Sequence, residues 1–106
     1  MATKALTITL LGNPSVTLDG EPVTGFVSSK VQALVFYLAA TGHAHSREAL
    51  AGLLWSDRPE TAAKGSLRNA LTNLRQLIGP YVDITRQTVA INQEAPLYVD
   101  SAHYAT

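Results

Sequence analysis

The spacing of apolar residues changes period along the chain, and each change marks an element. Leu6, Ile8 and Leu10 alternate with Thr7, Thr9 and Leu11, the period of a strand. Gly12-Asn13-Pro14 breaks the run, and Ser15 to Leu18 alternates again with Val16 and Leu18 on one face. Asp19-Gly20 is a two-residue hairpin signal, because both positions of that turn must accept positive φ. Glu21 to Val23 returns as the partner strand, and Thr24-Gly25-Phe26 leads out. A meander this small is marginally stable alone, so another layer has to cover its apolar face.

From Ser28 the period becomes that of a helix. Ser28 or Ser29 supplies the cap, and Val31, Leu34, Val35, Leu38 and Ala39 form the buried stripe, with Phe36 and Tyr37 beside it. Thr41-Gly42 ends this first helix with glycine in the left-handed position. His43 to His45 reads as a connector. Ser46 caps a second helix, REALAGLLW, with Glu48 in the first turn and Leu50, Leu53 and Leu54 facing inward. Trp55 plugs the junction between helices. Ser56-Asp57-Arg58-Pro59 breaks that helix, and Pro59 fits the first turn of the next, where its missing N–H costs nothing.

The third helix, Glu60 to Gly79, organises the rest. Leu67, Ala70, Leu71, Leu74, Leu77 and Ile78 recur at i, i+3, i+4 and i+7 and make one apolar stripe. Arg68, Asn69, Thr72 and Gln76 fall on the far side, with Lys64, Ser66, Asn73 and Arg75 on the flanks. That outer surface combines cations, which suit phosphates, with amides and hydroxyls, which suit base edges, and has no carboxylate after Glu60. A solvated helix that merely lacks acids is the alternative. Gly79-Pro80 stops the helix, and Val82, Ile84, Val89 and Ile91 then mark two short strands with Arg86-Gln87 at their tip. The expected fold is α+β: a winged helix-turn-helix with an N-terminal antiparallel sheet, three helices and a C-terminal hairpin wing. In such an arrangement the third helix enters the major groove of DNA and the wing reaches neighbouring backbone or minor groove.

Composition allows a packed core, with 46% hydrophobic and 15% charged residues in 106. The absence of cysteine excludes disulfides and thiolate metal sites and is compatible with a cytoplasmic location. No apolar run approaches the roughly 20 residues of a membrane span, and the N-terminus does not have the pattern of a signal peptide. The formal net charge of zero counts against a nucleic-acid partner. Its distribution softens the objection: Arg58, Lys64, Arg68, Arg75 and Arg86 face only Glu60 and Asp83 in the same stretch.

LLGNPSVTLDGEPV, SSKVQALVFYLAATGHAHSREALAGLLW, SLRNALTNLRQLIG and YVDS together resemble the N-terminal winged-helix domain of the Streptomyces antibiotic regulatory protein type, which precedes a bacterial transcriptional activator domain and has an OmpR-type fold. The resemblance implies sequence-specific binding to double-stranded DNA at promoters, often at direct repeats, and recruitment of RNA polymerase by the full-length protein. It assigns base reading to Arg68, Asn69, Thr72 and Asn73, the wing to Arg86 and Gln87, and phosphate contacts to Lys30, Arg47, Lys64 and Arg75. It divides the chain into a winged-helix domain over 1–96 and, over 97–106, the start of a linker to a helical activator domain, with Asp100 and Tyr104 at the junction. Two departures stand out: this third helix is less basic than many relatives, and Gly65 interrupts its outward face at about 1 kcal/mol relative to alanine.

Other classes have less to rest on. No nucleophile elbow, phosphate-binding glycine loop or HExxH is present, so neither catalysis nor a cofactor is expected. His43 and His45 form an HxH pair with no cysteine near and His103 far along the chain, which is weak ground for a metal. A winged helix used for protein contact within a larger multidomain regulator is the main alternative, and the zero net charge favours it.

Overall fold

A computed structural model describes residues 4–100; His103 and Tyr104 lie outside them. The described chain is α+β, with three helices and two sheets, an architecture compatible with a winged helix. Strands β1 (Leu6–Thr9), β2 (Ser15–Leu18) and β3 (Glu21–Pro22) form the expected antiparallel meander. Asp19 (φ 54°) and Gly20 (φ 86°) make its turn, as their residue types predict. The cover that the meander requires comes from the helices: Leu6, Ile8 and Val16 are buried in one cluster with the apolar stripes of all three.

Helix α1 (Ser29–Thr41) buries Val31, Leu34, Val35 and Leu38 and closes on Gly42, whose φ of 71° lets its amide reach the Leu38 carbonyl at 3.0 Å. Next comes β4 (His45–Ser46), then α2 (Arg47–Leu54). Ser46 serves both, pairing in β4 while its Oγ accepts the Ala49 amide at 3.0 Å as the cap of α2. Leu50 and Ala51 are buried, and Trp55 closes the junction as expected. Leu53 does not face inward but is 51% exposed. Helix α2 has only eight residues, and its buried side is set by Leu50, Ala51 and half-buried Leu54, leaving Leu53 on the outer side.

Helix α3 spans Glu60–Ile78 and is followed by a single 3-10 turn, Gly79–Tyr81. Pro59 stands one residue outside the helix, as its N-cap, and its carbonyl accepts the Ala63 amide at 2.9 Å. Ala63, Leu67, Ala70, Leu71, Leu74 and Ile78 form the buried face; Leu77 is half-buried at its edge. At about 1.5–3 kcal/mol for each large apolar side chain removed from water, this face is the main attachment of α3 to the core.

Strands β5 (Val82–Ile84) and β6 (Thr88–Ile91) form the expected hairpin, to which β4 adds as a third strand in the order β4-β6-β5. The segment read as a connector, His43 to His45, thus ends in a strand. A second correction concerns the C-terminal side. Leu97–Val99 is β7, parallel to β1 and the fourth strand of the first sheet, in the order β3-β2-β1-β7. Asp100 Oδ1 accepts the Leu10 amide at 2.7 Å, extending that contact. Residues 97–100 therefore pack as part of the first sheet, where the sequence reading expects the start of a linker. Among the described residues no helix is long and apolar enough to cross a membrane.

Candidate nucleic-acid interface

The solvent side of α3 is divided by the helical repeat. At 100° per residue, Arg68 and Arg75 lie about 40° and about 20° around from Lys64, so the three cations share a stripe, whereas Asn69 sits about 100° beyond Arg68. Arg68, Asn69, Thr72, Arg75 and Gln76 are all exposed. Thr72 Oγ1 donates to the Arg68 carbonyl at 3.1 Å, so its hydroxyl proton is used within the helix and its lone pairs remain to accept.

Asn73 is different, and here the assignment to base reading is corrected. Its side chain is 6% exposed. Its Oδ1 accepts the Val27 amide at 3.0 Å, and its Nδ2 donates to the Gly25 carbonyl at 3.1 Å. The loop before α1 has no sheet or helix partner for these two backbone groups, and Asn73 supplies one acceptor and one donor. Gly25 makes the close approach possible: its φ is 97°, and a Cβ there would lie 3.1 Å from Leu77 Cδ2. Asn73 is therefore a tie between α3 and the loop and cannot face a groove.

On the opposite flank a cleft of about 260 Å³ opens between the start of α2, α3 and the hairpin tip, lined by Arg47, Glu48, Lys64, Leu67, Arg68 and Arg86. Four cations and one carboxylate thus converge here, bringing together Arg47, Lys64, Arg68 and Arg86 from three elements. Lys64 is not a free cation, because its Nζ lies 3.3 Å from Glu60 and 3.8 Å from Glu48. Both pairs are exposed and worth about 0–1 kcal/mol, so a phosphate could compete for this lysine. Lys30, assigned to phosphate contact, lies 3.6 Å from Asp57 and 5.7 Å from the centre of the Trp55 ring and does not line this cleft. Arg68, Arg75 and Arg86 make no ion pair with another described residue.

The hairpin tip is built without glycine or asparagine, and no residue in it has positive φ. Thr85 closes it. Thr85 Oγ1 accepts the amides of Gln87 at 3.2 Å and Thr88 at 2.9 Å, and Arg86 and Gln87 are left exposed at the end. Arg58, in the turn before α3, donates to Ser66 Oγ at 2.9 Å and ties that turn to the first half of the helix. Sequence reasoning overlooked Glu48 and Thr85. The sequence pattern gives Glu48 only a role at the helix dipole, although it adjoins Arg47. The Thr-x-x-Thr spacing at the tip is itself a side-chain-closed turn signal.

His43 and His45 do not line the cleft. Their rings are 4.3 Å apart; His45 Nε2 is 2.7 Å from Thr41 Oγ1 and its ring stacks obliquely on Tyr37. Burial, and secondarily the charge of His43, holds the His45 imidazole below the ordinary histidine value. Among the described residues no three groups of histidine or carboxylate type gather as a metal site would require.

No family model matches the chain. Among curated proteins it is similar to the transcriptional regulatory protein EmbR of Mycobacterium tuberculosis and that of Mycobacterium bovis, at 30% identity over 76 residues, or 72% of this chain and 20% of the relative. The chain thus spans about a fifth of the length of the curated relatives it matches. Over that stretch the likeness is to a transcriptional regulator.

Proposed function

We propose that this chain is the DNA-binding domain of a bacterial transcriptional regulator, folded as a winged helix whose α3 enters the major groove and whose β5–β6 hairpin acts as the wing. The observation that carries the reading is the convergence of Arg47, Lys64, Arg68 and Arg86 on one cleft beside the exposed polar face of α3. Arg68 and Asn69 suit guanine and adenine respectively through bidentate hydrogen bonds. Thr72 serves as an acceptor toward base amines, and Arg75, Arg86 and Gln87 contact backbone. The action is non-covalent binding with no catalytic step. The likeness to a transcriptional regulatory protein supports the same reading.

One such domain buries limited surface, so useful affinity calls for a second copy on an adjacent direct repeat or for further domains. Recruitment of RNA polymerase by the whole regulator belongs to the same proposal. The protein-contact alternative draws on the compensation of Lys64 by two carboxylates and on the zero net charge. A selection from a random duplex library at two salt concentrations, with this domain fused to a dimeriser, separates the two. A short motif in direct repeat is expected. No enrichment at either salt would sink the DNA-binding reading in favour of protein contact.

A further inference from the structure

The hairpin tip has an unusual division of hydrogen bonds. Thr88 N donates to Thr85 Oγ1 at 2.9 Å, and Thr85 N donates to the Thr88 carbonyl at 2.9 Å. The Thr85 hydroxyl therefore takes the acceptor role that the residue's own carbonyl fills in an ordinary turn. That carbonyl is left for α2, and it accepts Arg47 Nε at 2.8 Å. The Gln87 carbonyl accepts the Arg47 amide at 2.9 Å. Arg47 is the first residue of α2, and its amide is one of the donors that a helix start leaves unpaired. The two carbonyls on either side of Arg86 are thus held by one residue of a packed helix, while Arg86 itself is exposed and lines the cleft.

We propose that Arg47 is a positioning residue: it fixes the hairpin tip against α2 so that Arg86 faces the same partner surface as Arg68. This assignment rests on the DNA-binding reading and replaces a direct phosphate contact by Arg47. Its physical basis is preorganisation. The tip is closed on itself only by the Thr85 hydroxyl and one backbone bond, and without the ties to α2 more side-chain and loop freedom would have to be given up on binding. Held from α2, it offers Arg86 at a fixed distance from α3. Thr85 is the second part of the device, because its hydroxyl is what releases the carbonyl to Arg47.

The test uses the 106-residue chain as wild type, Arg47→Ala, Arg86→Ala, the double variant and Thr85→Val. Each is titrated with a fluorescein-labelled duplex of mixed sequence across a salt series, and amide exchange of each free protein is recorded. Arg86→Ala should lower the slope of log affinity against log salt by about 0.9, the value of one phosphate contact. Arg47→Ala should lower it equally, the double variant no further, and Thr85→Val should follow Arg47→Ala. In free Arg47→Ala the amides of Gln87 and Thr88 should lose protection while those of β5 and of the rest of β6 keep it. A slope lowered by about 1.8 in the double variant would show that Arg47 holds a phosphate on its own and would overturn the proposal. So would an unchanged slope in Arg47→Ala, or a tip that keeps its protection. If the wild type shows no salt-dependent binding, the DNA-binding reading itself fails, and the exchange data still decide whether Arg47 holds the tip.

Discussion

The two flanks of α3 both carry polar side chains, an amide on one and cations on the other, and meet opposite neighbours. On one, Asn73 and Leu77 lie under the loop that precedes α1, and both ends of the Asn73 amide are taken by Gly25 and Val27. On the other, Lys64 and Arg68 line an open cleft shared with α2 and the hairpin. Asn69 and Asn73 differ by four positions, yet the first is exposed and the second buried. A polar side chain is available to a partner only where no backbone of its own chain requires it. The loop at 24–27 has no ladder, so it draws a donor and an acceptor from the nearest helix. The hairpin tip satisfies itself through Thr85 and draws on α2, which leaves the adjoining flank of α3 open.

The contrast can be broken most sharply at Arg68 and Asn69. Changing both to alanine should remove specific binding, at about 1–3 kcal/mol for each bidentate pair lost, while the melting free energy changes by less than about 0.5 kcal/mol. Fluorescence titration and calorimetry on one sample check both, and a large loss of stability would show that the exposed side of α3 is structural too. Asn73→Ala should do the reverse. It leaves the Gly25 carbonyl and Val27 amide without their partner, which costs about 1–3 kcal/mol and shows as a lowered midpoint in urea. If stability held and DNA binding fell, the division of α3 proposed above would be wrong. Gly25→Ala addresses the same flank from the loop side. Positive φ and the contact with Leu77 make a loss of about 1–3 kcal/mol the expected result, and unchanged urea unfolding would mean that the loop can move away from α3.

The smallest effect concerns His45, which lines neither flank. Its pKa is lowered from the ordinary 6.5, first by burial and then by His43. The folded state therefore binds fewer protons than the unfolded one as pH falls through that value. Stability from this source is intact above 6.5 and declines below it until the folded imidazole is also protonated. Melting across that range should show a shallow decline that His45→Gln removes. An identical decline in the variant would assign it to other groups.

How much of this was legible in the chain varies with the range of the interaction. The stripes of α1 and α3, the Asp19-Gly20 turn, the Gly42 stop and the Ser46 cap all follow from residues within a few positions of one another. Strand β4 has two residues and β7 three, too few to display alternation, and each exists because a distant strand offers an edge. Apolar character alone points Leu53 inward, whereas a helix of eight residues buries only what its neighbours cover. Asn73 was misplaced for a related reason. Its position on the helix, next to Leu77 at the margin of the apolar stripe, was visible, but the loop that claims it lies 46 and 48 residues earlier. The outward positions of Arg68, Asn69 and Thr72 were readable because they lie opposite the stripe, where no segment of the chain competes for them.

That same separation has a kinetic consequence. A contact that spans 48 residues closes a long stretch of chain, and the entropy of closure is met only once nearer contacts have formed. The Asn73 tie is then expected to form after the local contacts of the helices and the meander and to be released before them. Its loss falls on the unfolding rate and leaves the folding rate nearly unchanged, which stopped-flow arms of Asn73→Ala would show; a slowed folding arm would place the tie in the nucleus instead. On this expectation a single amide beside the exposed face of α3 sets how long the native arrangement persists, separately from whatever that face contacts.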